Sequence, residues 1–312
     1  METPVTLQTL AIDSAEAEAL LLNFRRNQAL FAPFVQIPDD ATASSLRSEN
    51  PMLFLAVMVA ASHNDPARQE NFSKASMAYV ADQVLIQGRK NLALLQGMLV
   101  LLNWYHTQVF LNPQITNLLH LCISLATDLG LTQSPSRPEV HTLSYGARRA
   151  IHGPSEYREE RTIEERRAYA GCFYLASVIA TCSTVSTELP WSAQLEESCR
   201  VLRSSGLEAD LRLEMYVRLQ HIVAQISHVQ KDIAANGGPA ASLSVYIVPF
   251  EERLTQLWAD CPESLRNDRK SDKGVAPPLI PYRICCLKPT AHLLPLTSLR
   301  PPQPPHYRHA SL

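Results

Sequence analysis

Apolar positions along this chain recur every three to four residues, and the elements they predict are helices. Asn50 followed by Pro51 puts a capping side chain ahead of a proline at the first helical position, and MLFLAVMVAAS follows. Proline fits there because its missing N–H had no intrahelical acceptor. Asn112–Pro113 repeats the device before QITNLLHLCISLATDLG, with Gly130 placed as a C-terminal cap. In that helix Ile115, Leu118, Leu119, Cys122, Leu125, Ala126 and Leu129 form one stripe, while Gln114, Asn117, Ser124 and Asp128 fall largely elsewhere. Asn91–Tyr105, NLALLQGMLVLLNWY, is apolar almost all round and belongs in the middle of a bundle. Arg68–Gln87 reads as an amphipathic helix with Met77, Val80, Ala81, Val84 and Leu85 inward.

Thr132–Arg161 breaks the periodicity with Pro135, Pro138, Gly146, Gly153 and Pro154, and reads as a long exposed loop between two helical layers. Thr162 and Glu165 then form a capping box for a helix with Tyr169, Cys172, Phe173, Ala176, Ile179 and Cys182 inward. Beyond the Pro190–Trp191 turn, a short helix turns Leu195, Cys199 and Leu202 inward. A longer one, roughly 207–234, carries Leu211, Met215, Leu219, Ile222, Ile226, Val229 and Ile233 at alternating four- and three-residue steps. That stripe reads as a core face; a dimer zipper would give the same pattern over so few turns. Gly237–Gly238–Pro239 ends it, and Val248–Ala259 forms a last helix with Phe250, Leu254, Leu257 and Trp258. From Lys273 the last forty residues hold nine of the 22 prolines and no Asp or Glu, which predicts a disordered or extended tail. The fold class expected is all-α: a multi-helix bundle with a long exposed loop over 132–161 and a disordered Pro-rich C-terminal tail.

Charge changes the picture by subtraction. With 28 Lys+Arg against 30 Asp+Glu, the chain lacks the basic excess that phosphate neutralisation asks of a free-standing DNA-binding module. Seven cysteines spread over the chain (122, 172, 182, 199, 261, 285 and 286) are an odd number and read as reduced, mostly buried thiols, not as a secreted disulfide scaffold. The N-terminus has no signal-peptide pattern, and the longest apolar runs, Met52–Ala61 and Met98–Leu102, are too short to span a bilayer. A soluble protein with no membrane partner is expected.

Candidate chemistry is sparse. No C-x-x-C pair, H-E-x-x-H helix, phosphate-binding glycine loop or G-x-S-x-G elbow occurs. The adjacent Cys285 and Cys286 diverge too much to share a metal ion. Asp39–Asp40 lacks a third carboxylate at helical spacing and reads as acidic residues complementing a helix dipole. Trp104, Tyr105 and His106, with His120 on the next helix, read as an aromatic plug; the alternative is the wall of an effector pocket. Arg148–Arg149 and Arg166–Arg167, interleaved with glutamates, read as a solvated mixed-charge face in preference to a split nuclear import signal. No catalytic, cofactor-binding or metal residue is expected, and the chain reads as a non-enzyme.

Five segments resemble, in order, the regulatory (middle homology) region of fungal binuclear zinc-cluster transcription factors. They are Phe31–Ser62, the Leu92–Tyr105 block ending LLNWYH, Asn117–Leu131, Glu164–Leu202 and Phe250–Arg266. The six-cysteine cluster that such factors place in the DNA groove is not matched, so no metal or DNA-contact residue carries over. The organisation expected is a partly helical segment 1–23, a regulatory domain 24–266 and the tail 267–312, the tail being expected to mark a truncated or misread gene. The resemblance implies nuclear control of gene expression through transcription-machinery partners, with DNA reached only indirectly or through a separate zinc cluster. It also implies room for a small-molecule effector; a homodimer is the further partner considered. The alternative is an effector-binding or scaffold protein derived from such a factor.

Overall fold

The computed structural model describes residues 10, 12–105, 114–133, 160–182, 189–235 and 244–266. The helices are α1 (Ser14–Asn27), α2 (Ala43–Glu49), α3 (Pro51–Ala61), α4 (Pro66–Val80), α5 (Leu92–Asn103) and α6 (Ile115–Asp128). They continue with α7 (Ile163–Cys182), α8 (Ala193–Ser204), α9 (Glu208–Ala235), α10 (Ser244–Ala259) and α11 (Glu263–Arg266). No strand occurs among the described residues, so the fold is all-α. Most of the loop expected over 132–161, the tail from 267, Asn112–Pro113 and Gly237–Pro239 lie outside the described residues.

The first layer is built around α3. All ten residues from Met52 to Ala61 are buried, because α1, α2, α4 and α5 surround the helix. The central place expected for α5 is shared by α3. The two helices meet at Gly97, where a Cβ would stand 2.6 Å from Leu53 N and the Met52 carbonyl carbon. Only a residue without a side chain permits that approach. Asn50 Oδ1 accepts the Leu53 N–H at 3.1 Å and starts α3 as expected. At the other end, no water is needed for the last carbonyls. Asn23 Nδ2 donates to Ala61 O (3.3 Å), Gln28 Nε2 to Ala60 O (2.9 Å) and Gln69 Nε2 to Val59 O (3.3 Å).

The second layer is α7, α8 and α9, joined to the first where α7 packs on α5 and α6. Thr162 and Glu165 close the capping box in both directions, at 3.2 and 2.9 Å. Gly171 lets α7 lie against Phe34, whose Cβ would be 2.5 Å from an added methyl. At the end of α6, Gly130 adopts φ 69° while Leu131 and Gly130 donate to Ala126 O and Thr127 O, the paired bonds of a Schellman cap.

Two expectations change. The helix predicted over 68–87 stops at Val80 and passes into a π-helical turn, Ala81–Ile86, with Gln87 N donating to Asp82 O. The one extra residue per turn rotates the stripe, so Leu85 and Ile86 are 66% and 77% exposed. In α4 the buried face is Gln69, Phe72, Ser73, Ala75, Ser76 and Val80. The stripe predicted for α9 is likewise not its most buried face. Leu211, Met215, Leu219, Val229 and Ile233 are half-buried, and the helix instead sinks Asp210, Leu213, Glu214, Val217 and Gln220.

Candidate functional site

Charged side chains gather where α7, α8 and α9 meet. On α9, residues 210, 213, 214, 217 and 221 fall on one face at 100° per residue, so an acidic pair shares that face with Leu213 and Val217. Opposite lies Arg167, one turn inside α7 and followed by an apolar run that draws the whole helix into the core. Arg167 is 5% exposed and Asp210 0%. The guanidinium Nε and Nη2 donate to the two carboxylate oxygens at 2.6 and 2.9 Å, a bidentate pair.

One turn along α9, buried Glu214 accepts from Arg218 and lies 3.5 Å from Nη1 of Arg203 on α8. Arg218 Nη2 also donates to Glu196 Oε1 at 2.8 Å, so a row of alternating charges staples α8 to α9. Burial pulls the Arg218 guanidinium down, but its bonds to Glu196 and Glu214 outweigh this and raise it. Burial lowers Arg166, and neighbouring Arg200 adds to the effect against the pull of Glu160.

An aromatic group caps the row. The Trp191 ring stacks on His221 with centroids 4.0 Å apart and planes 25° from parallel, and Phe173 meets Trp191 edge-on at 5.5 Å. Burial, then Arg253, lowers the His221 pKa; Glu196 opposes them. The Tyr169 hydroxyl and Ser192 Oγ are 3.0 Å apart, and Ser192 also accepts the Leu195 N–H as the cap of α8. Burial raises Tyr169 despite that bond.

This arrangement holds helices in position. Burial pushes the Cys172 and Cys199 thiols up to about 12, which leaves them protonated near neutral pH and poor nucleophiles. Cys122 is raised well above its usual value by burial and by nearby Cys172. Among the described residues no group of three His, Cys, Asp or Glu is placed to hold a metal ion, and no helix is long and apolar enough to cross a membrane.

The residues singled out in the sequence are scattered. Trp104 and Tyr105 are buried, Trp104 edge-on to Phe31 at 6.5 Å, and the Tyr105 hydroxyl accepts the Gln114 N–H at 2.7 Å. The Tyr105 hydroxyl is thus tied to backbone. His120 points outward from α6, and His106 lies outside the described residues. Asp39 and Asp40 sit exposed in a turn ahead of α2, whose Ala43 N–H is instead accepted by Glu18 of α1 at 2.8 Å. Arg148, Arg149, Cys285 and Cys286 lie outside the described residues. Arg167 departs most from expectation: in place of a solvated mixed-charge face it is a buried ion-pair partner. The signal for it was present, since Arg167 begins the apolar run and Asp210 and Glu214 are spaced one turn apart beside Leu213 and Val217.

The WAR1 C-terminal domain family matches residues 4–266 of the chain. The chain belongs to that family. It is 31% identical to Transcription factor himD of Aspergillus japonicus over 68% of this chain and 35% of that protein. It is 30% identical to Transcription factor opdL of Penicillium oxalicum over 82% of this chain and 46% of the relative. With Transcriptional regulator WAR1 of Candida albicans it shares 25% identity over 83% of this chain and 27% of the regulator. The chain thus spans less than half the length of these curated relatives, all of them fungal transcription factors. No solved structure matches it.

Proposed function

We propose that this chain is the regulatory region of a fungal transcription factor and controls gene expression in the nucleus. It acts through partner proteins or a DNA-binding module outside these residues, and residues 24–266 form the regulatory domain. The observation that carries this reading is the family match across 4–266, together with relatives that are themselves named transcription factors. Regulation in preference to catalysis is what those names support. The ionic row across α7–α9 suits a region that must hold one helix arrangement while other proteins act on its surface. The near-balanced charge fits contact with proteins better than with phosphates.

The test is a reporter assay in a fungal host, with the full chain fused to an unrelated DNA-binding module. A change in reporter transcription is expected, with the unfused chain accumulating in the nucleus and showing no sequence-specific DNA binding. A fusion without effect on the reporter, or a chain excluded from the nucleus, overturns the proposal and favours a scaffold role.

A further inference from the structure

Where α10 meets α9, hydrogen bonds run in a direction that the donor chemistry dictates. His221 and Gln225 stand one turn apart on α9, and α10 packs beside that helix. Arg253 of α10 donates from its guanidinium to Gln225 Oε1. A guanidinium has donors only, so the Gln225 oxygen must face it and the amide nitrogen must face elsewhere. That nitrogen lies 3.1 Å from His221 Nε2. An amide nitrogen only donates, so His221 Nε2 has to present its lone pair. The ring is therefore neutral, with its proton on Nδ1. The bonds run from Arg253 to Gln225 to His221, with no room for a further proton at their end.

A proton on His221 Nε2 would set two N–H donors against each other. Turning the amide over relieves that clash but aims its NH2 at the guanidinium, so the conflict moves to α10. That helix is lightly held. Among its described side chains none is fully buried, and Val248 and Trp258 are 56% and 49% exposed. Pro249 sits inside the helix and removes one of its backbone hydrogen bonds. An element with so few buried contacts opens at low free-energy cost, so a single bond can decide its position. We propose that His221, Gln225 and Arg253 form a proton-operated latch: protonation of His221 Nε2 breaks the Arg253 bond and releases α10 from α9. Around the ring stand Trp191 stacked on it, Phe173 of α7, Glu196 of α8 and Arg218 of α9. Burial opposes the proton most, then Arg253; Glu196 favours it and Arg218 opposes it. By linkage, release of α10 takes Arg253 away and lets the proton bind more readily. Opening is favoured progressively as pH falls from the ordinary histidine value of about 6.5 toward the depressed one.

The experiment is hydrogen exchange over 244–259 in the full chain, from about pH 7.5 to about pH 5.5, corrected for the intrinsic pH dependence of exchange. Wild-type α10 is expected to open about fivefold or more readily at the acid end, with helical circular dichroism unchanged. His221→Phe keeps a ring on Trp191 and cannot titrate. Its α10 exchange should lose the acid response, although His228 and the acidic side chains of α10 stay in place. Gln225→Glu should reverse the sign, because a carboxylate accepts from Arg253 and from protonated His221 at once. Acid then holds α10 more tightly, and the His221 ring-proton titration moves up. A wild-type α10 indifferent to pH overturns the proposal. So does an acid response that survives His221→Phe, or a Gln225→Glu chain that loosens in acid as the wild type does.

Discussion

The α3–α5 contact and the α7–α9 contact are both helix pairs in the core of one bundle, and they are held by different physics. Around α3 and α5 nearly every buried side chain is aliphatic or aromatic, and the close approach depends on the absent side chain of Gly97. Between α7 and α9 the buried face carries Arg167, Asp210 and Glu214 as well as Leu213 and Val217. A dry contact tolerates small errors of volume by repacking. A contact built on desolvated charge fails when a single partner is lost, because the remaining charge has nowhere to go. The first pair is held by apolar burial, and the second adds a bidentate ion pair that both helices must be placed to satisfy.

The largest effect should come from breaking the charged contact. Arg167→Ala leaves Asp210 buried without its guanidinium and is expected to cost about 3–5 kcal/mol in denaturant unfolding. Replacing both partners, Arg167→Met with Asp210→Leu, should recover most of that loss; equal destabilisation by the single and double variants would count against the comparison. In the dry contact, Gly97→Ala forces a methyl against the α3 backbone and should cost about 1–3 kcal/mol, read as a lower unfolding midpoint. A neutral Gly97→Ala would mean that α3 and α5 separate easily.

The smallest effect is a pH dependence confined to the second layer. His221 has its folded pKa below the usual value near 6.5, so the unfolded chain binds this proton more readily. Its contribution to stability is therefore complete above that value and declines as pH falls into the window between the usual and the depressed pKa. Ring-proton titration by NMR reads the shift directly, and Arg253→Gln should raise the His221 value by removing one cause of the depression. A His221 titration at or above the ordinary range would refute the burial argument.

Much of the first layer was legible because its signals are local or periodic. Asn50–Pro51 and Gly130 each act within a few residues of themselves, as does the Thr162–Glu165 box that opens the second layer, and α5 announces its position by having no polar face. The misplaced features depend on partners far along the chain. The apolar run after Arg167 marks it for burial, but nothing near it identifies Asp210, 43 residues away, as the partner that neutralises it. A reading that places charges outside therefore turned α9 toward its aliphatic flank. The π-helical turn after Val80 escaped for a related reason, since one residue too many per turn leaves no mark in composition. The site was the least legible part, because its character lies in pairing, and pairing is a property of the folded chain.

The amide groups closing the end of α3 set a practical limit on dissecting this protein. Asn23 and Gln28 belong to the first thirty residues, yet they supply donors to the last carbonyls of a helix packed in the core. A shortened fragment beginning after Gln28 would remove the side-chain amide donors of both carbonyl oxygens, together with the helix that covers this end of α3. Fragments for crystallography or interaction screening should therefore start upstream of Asp13, so that the leading helix travels with the core it seals.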